Sequence, residues 1–113
     1  MSGRLPAHLE ASAIIRRAEA QGGFATVLAK GERDAGTILL VTSCHGRDAV
    51  LHERMPQLDG SRSFVATRRE DAEKPWEFGE YLDRRRQQDP DSWLIEVNIA
   101  DPQRFVAGCD ESS

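Results

Sequence analysis

Phe24-Ala-Thr-Val-Leu-Ala-Lys30, Thr37-Ile-Leu-Leu-Val-Thr42, Ala49-Val-Leu-His-Glu-Arg-Met-Pro56 and Ser63-Phe-Val-Ala-Thr-Arg-Arg69 lie in one stretch, Phe24 to Arg69, whose reading decides the fold. The first segment follows Gly22-Gly23 and is rich in β-branched and aromatic residues. The second is an almost unbroken apolar run, short enough to be a strand buried on both faces. The third alternates, with Leu51 and Met55 on one side and His52 and Arg54 on the other. Asp59-Gly60 then signals a hairpin, with a loop longer than two residues. The connections are too short for a crossover helix, so the four segments are expected to pair antiparallel as a meander.

Helical periodicity flanks this stretch. Leu5 to Gln21 reads as a helix with Pro6 in its first turn. Ala7, Ala11, Ile14, Ile15 and Ala18 form one apolar stripe, and Leu5, Leu9 and Ala13 a smaller strip opposite. A helix apolar on two sides has more than one neighbour: the C-terminal segment or a second copy of the chain. Pro75 to about Gln88 reads as a second helix, with Phe78, Tyr81 and Leu82 inward. Ser92 to Ala100 is a strand with Trp93, Ile95, Val97 and Ile99 on one side and Leu94, Glu96 and Asn98 on the other. Asp101-Pro102 opens a short last helix carrying Phe105 and Val106. Met1 to Arg4 and Gly108 to Ser113 read as loose ends.

The fold class is therefore α+β, in the order α-β-β-β-β-α-β-α. One mostly antiparallel sheet of about five strands carries two main helices on one face. The fifth strand arrives through a helix, which suits a parallel neighbour. The 113 residues suffice for one domain.

Composition narrows the function classes. The net charge is −4, which gives no overall basic field for nucleic acid. No stretch approaches the ~20 apolar residues of a membrane span. The N-terminus has no apolar signal core, so a cytoplasmic location with Cys44 and Cys109 reduced is expected. Thirteen Arg stand against two Lys, and Arg alone forks onto carboxylate or phosphate.

Arg4-Leu-Pro-Ala-His-Leu-Glu10, Gly22-Gly-Phe-Ala-Thr-Val-Leu28, Asp34-Ala-Gly36, Glu53-Arg-Met-Pro-Gln-Leu-Asp-Gly60 and Tyr81-Leu-Asp-Arg-Arg-Arg-Gln-Gln-Asp-Pro-Asp-Ser-Trp-Leu-Ile-Glu96 carry a resemblance. From Arg4 to about Ala107 the chain resembles a family of short bacterial proteins catalogued as domain of unknown function 1491. The resemblance implies a stand-alone bacterial cytosolic protein. It implies no catalytic residue, cofactor or ligand.

Candidate chemistry is sparse. Cys44 and His45 are adjacent, whereas a thiol nucleophile needs an imidazole facing it from another element. The His and Cys residues lack the spacing of a metal site, so no metal or cofactor is implied. Gly31 to Gly36 lacks the ending of a phosphate loop and reads as a tight hairpin with an Asp34 side-chain turn. Glu53 falls on the core side of its strand and needs a partner, for which Arg68 is one choice. With His52 it is the candidate for a polar pocket at the end of the sheet. Arg54, Arg68 and Arg85 are the candidate anion site, should they converge.

The first functional reading is a small binding or protein-interaction module without catalytic activity. It is expected to be homodimeric, on the two-sided first helix and an exposed Leu94. The alternatives are a small-ligand domain holding a phosphate or carboxylate through its arginines, or a small enzyme using Glu53, His52 or Cys44.

Overall fold

The computed structural model describes residues 5–111. The loose end expected for Met1 to Arg4, and the last two residues of the expected tail, lie outside these. The elements are α1 (Ala7–Ala20), β1 (Phe24–Ala29), β2 (Ile38–Cys44), β3 (Arg47–Pro56), β4 (Arg62–Arg69), α2 (Trp76–Gln88), β5 (Trp93–Asn98) and α3 (Pro102–Glu111). This is the order read from the sequence. The sheet is mostly antiparallel, with one parallel pair. No helix among the described residues is long and apolar enough to cross a membrane.

The strand order is β1-β5-β2-β3-β4, so the expected four-strand meander is not formed. β5 lies between β1 and β2, antiparallel to β1 and parallel to β2. The apolar pattern explains the insertion. β5 offers Trp93, Ile95 and Val97 to one face and Leu94 to the other, all buried. Only a central position covers both faces of such a strand. β1 is half-buried through Ala25, Val27 and Ala29 alone and exposed at every other residue, which suits an edge.

Helices cover both faces of the sheet, not one. α1 and α3 pack over Ile38, Leu40, Phe64, Trp93, Ile95 and Val97. α2 packs through Phe78 and Leu82 over Leu39, Val41, Leu51 and Leu94. Leu94, expected at the surface, is 7% exposed beneath α2. The run Ile38-Leu-Leu-Val41 feeds both layers by alternation, as its reading required.

The connections hold the layers in place. β2 turns into β3 through His45 and Gly46, both at positive φ, as a two-residue type I′ hairpin needs. The segment between β1 and β2 is not a hairpin, because those strands do not pair. Glu32, rather than Asp34, folds it by accepting from the Asp34 and Ala35 N–H groups. Its carbonyls then serve α1: Ala7 N–H donates to Asp34 O and His8 N–H to Arg33 O, each at 2.9 Å. They meet the orphan donors of a helix start that has no side-chain cap. Trp93 Nε1 donates to Glu32 O at 2.7 Å, fastening the same segment to β5. The last helix runs through Gly108 to Glu111, beyond its expected end. Cys109 is buried against the core, and burying it keeps the helix going.

Candidate functional site

The polar residues singled out in the sequence are divided by the sheet. On the α2 face, Arg85 Nε donates to Glu53 Oε1 at 3.0 Å. Thr67 Oγ1 donates to the other carboxylate oxygen at 2.6 Å. Arg68 does not pair with Glu53. It stacks on Tyr81, with the guanidinium carbon 4.2 Å from the ring centre. A bulge between Leu51 and His52 sends Thr67 and Arg68 toward α2 together.

On the opposite face, Arg54 pairs with Glu10 of α1 and lies 4.4 Å over the Phe64 ring. Glu10 Oε1 is buried with no hydrogen-bond partner. Arg54, Arg68 and Arg85 therefore share no cavity, and each is engaged by a side chain of the protein. Glu53 and His52 are likewise parted, as adjacent residues on a strand must be.

His52 does reach a polar cavity. The space, about 280 Å³, is lined by Thr42, Cys44, Asp48, Val50, His52, Arg69, Asp101, Pro102 and Gln103. It lies at the start of α3, where Asp101 Oδ1 accepts from Arg104 N–H. His52 is 8% exposed, and its Nε2 is 2.9 Å from Thr42 Oγ1. Burial first, and then the charge of Arg69, push its pKa down to about 4. The ring is neutral at pH 7. Cys44 donates weakly to Ala100 O, and neither Cys44 nor Cys109 is in a disulfide. Burial raises the Cys109 pKa, against the opposing pull of Arg17. Among the described residues no group of His, Cys, Asp and Glu is placed to hold a metal ion.

Arg69 is the cavity residue that sequence reading missed. It ends a strand beside Arg68, and only the β-bulge decides which of the two faces α2. The Val50–Arg69 pairing turns Arg69 to the His52 side.

A second surface lies at the β1 edge. A groove of about 730 Å³ runs between β1 and α2, lined mainly by Leu28, Ala29, Leu82, Arg86, Pro90 and Leu94. Phe24 is 76% and Leu28 50% exposed on this strand. Arg86 closes one end, donating to Lys30 O, Pro90 O and Ser92 O.

The family described as "Protein of unknown function (DUF1491)" matches residues 5–107. Solved structures resemble the whole architecture. The crystal structure of a DUF1491 family protein from Caulobacter crescentus CB15 is 32% identical, with a TM-score of 0.77 over 90% of this chain and 94% of that one. An NMR structure of a DUF1491 family protein from the same organism is 31% identical, with a TM-score of 0.76 over 93% and 94%. The solution structure of protein Atu0922 from A. tumefaciens is 28% identical, with a TM-score of 0.73 over 92% and 93%. No curated protein matches the chain.

Proposed function

The chain belongs to the DUF1491 family of proteins of unknown function, and on that footing we propose that it is a small cytoplasmic interaction module that works as a homodimer through its β1 edge. The contrast between the two sheet edges carries this reading. At one edge β4 bears Arg62, Arg68 and Arg69, and Asp110 of α3 accepts the Phe64 N–H at 3.1 Å. Charge and a covering helix are the usual guards against edge-to-edge pairing. At the other edge, β1 reads Phe-Ala-Thr-Val-Leu-Ala and has no charged residue. Its side chains Phe24 and Leu28 stand out beside an apolar groove.

Antiparallel addition of a second β1 joins two five-stranded sheets across a twofold axis. A register shift between Val27 and Ala29 marks a bulge at Leu28, which confines the pairing to Phe24–Val27. The apolar groove then receives side chains of the second copy. The exposed Leu5, just before α1, and Leu9 on it form a separate surface that is not needed for this contact.

Sedimentation equilibrium between 10 and 500 µM tests the reading. The expected result is a monomer–dimer equilibrium that Phe24→Lys with Leu28→Lys shifts to monomer, with the variant still folded by circular dichroism. A strict monomer throughout the range, or a dimer that survives both substitutions, overturns it.

A further inference from the structure

We infer that the cavity between β2, β3 and α3 binds a compact molecule through one carboxylate or phosphate group, held by His52 and Arg69. The protonation of the imidazole carries the argument. Among the described residues the Thr42 hydroxyl has a single hydrogen-bond partner, His52 Nε2. A buried hydroxyl proton needs an acceptor, so Thr42 donates and Nε2 accepts. A neutral imidazole then carries its proton on Nδ1. Nδ1 makes no bond to the protein among the described residues. It is not one of the solvent-sealed orphan atoms either, so it keeps contact with solvent, and His52 is one of the residues lining the cavity.

The cavity thus presents a fixed N–H from a ring that is more than nine-tenths buried. The Arg69 guanidinium lies close enough to depress that ring's basicity. Arg69 forms no ion pair with a carboxylate among the described residues, although Asp48 and Asp101 line the same space. A neutral donor and the cation of an exposed arginine, lining one cavity, are matched by an oxyanion, through charge-assisted hydrogen bonds.

Asp48 and Asp101 decide the rest of the ligand. Both carboxylates line the same space as His52 and Arg69, where they repel a polyanion and accept from hydroxyl or ammonium groups. The volume is near the lower limit of small-molecule sites, about 300 Å³. These features favour a small hydroxy- or amino-acid, or a small phosphate monoester, over a nucleotide or a nucleic-acid strand. Val50 and Pro102 supply the apolar part of the wall.

Two-dimensional NMR at pH 7 and constant ionic strength tests the site. Sodium acetate and sodium phosphate are the probes, with sodium chloride as the control. The expected result is a saturable shift of the His52 ring signals by at least one probe. Binding should weaken at least tenfold in Arg69→Gln. Saturation by acetate alone identifies a carboxylate ligand, and by phosphate alone a phosphate ester. A second measurement needs no variant: the bound anion should raise the apparent pKa of His52 in the natural chain. Shifts no larger than with chloride, shifts unchanged in Arg69→Gln, or an unmoved His52 pKa overturn the inference.

Discussion

Arg85 of α2 and Glu53 of β3 meet at 3.0 Å, with both side chains largely withdrawn from water, at 25% and 12% exposure. The pair fastens the lone helix on its face of the sheet to a strand that it otherwise touches through apolar groups. Removing one partner leaves a half-desolvated charge. Glu53→Ala is expected to cost about 2 kcal/mol, a fall in Tm of roughly 8 °C for a domain of this size. A double-mutant cycle with Arg85→Ala should return a coupling above about 0.5 kcal/mol. Additive losses would show that the contact contributes nothing of its own.

The second ion pair should behave differently. Arg54 and Glu10 are each 13% exposed, and one Glu10 oxygen lacks a partner. An incompletely satisfied buried pair is a candidate for apolar replacement. Glu10→Ala alone is expected to cost about 3 kcal/mol, whereas Glu10→Leu with Arg54→Met should recover most of it. Chemical denaturation of Glu10→Ala, Arg54→Met and the double variant checks this. A double variant as unstable as the sum of the singles would refute it.

Acid should expose the state of His52. Its native pKa of about 4 lies below the roughly 6.5 of a free imidazole. Between these values the unfolded chain binds a proton that the native ring refuses. Stability from this group is therefore complete above about pH 6.5 and declines as pH falls toward 4. The loss is about 2 kcal/mol at pH 5. Urea midpoints at pH 7 and pH 5 should differ more in the natural chain than in His52→Gln. Equal differences would mean that the ring titrates normally.

Two apolar or backbone positions test the layered fold. Leu94→Ala, beneath α2, is expected to cost about 2–5 kcal/mol, where a surface leucine would cost little. Gly31→Ala would place a methyl group 2.0 Å from Asp91 O, at the point where Glu32 N–H donates to that same carbonyl. It should destabilise the chain although Gly31 is itself only half-buried. Thermal unfolding checks both, and a Tm unchanged in either variant would contradict the packing described.

Element order and type were legible because each segment carried its own period. The Ala7–Ala18 stripe and the unbroken run in β2 each found the burial that their pattern required. Strand order was not legible, because it depends on which apolar strand needs two covered faces. Leu94 shows the difficulty: one leucine among Glu96 and Asn98 looks solvent-facing until a second helical layer covers it. The grouping of the polar residues was legible only in part, for a related reason. The opposed placement of Glu53 and His52 followed from strand alternation. The exchange of Arg68 for Arg69 came from a single extra residue in β4, which no local pattern announces.

The placement of β5 at the middle of the sheet also sets an order for assembly during synthesis. The first 92 residues contain both of its future neighbours, β1 and β2, but nothing to join them. Until Trp93–Asn98 leaves the ribosome, the nascent chain carries a β2–β3–β4 ribbon with a bare inner margin and an unattached β1. A translation stall just before Trp93 should therefore yield a species prone to capture by chaperones or by its own copies, while emergence of Trp93–Asn98 lets the halves close around the late-arriving strand.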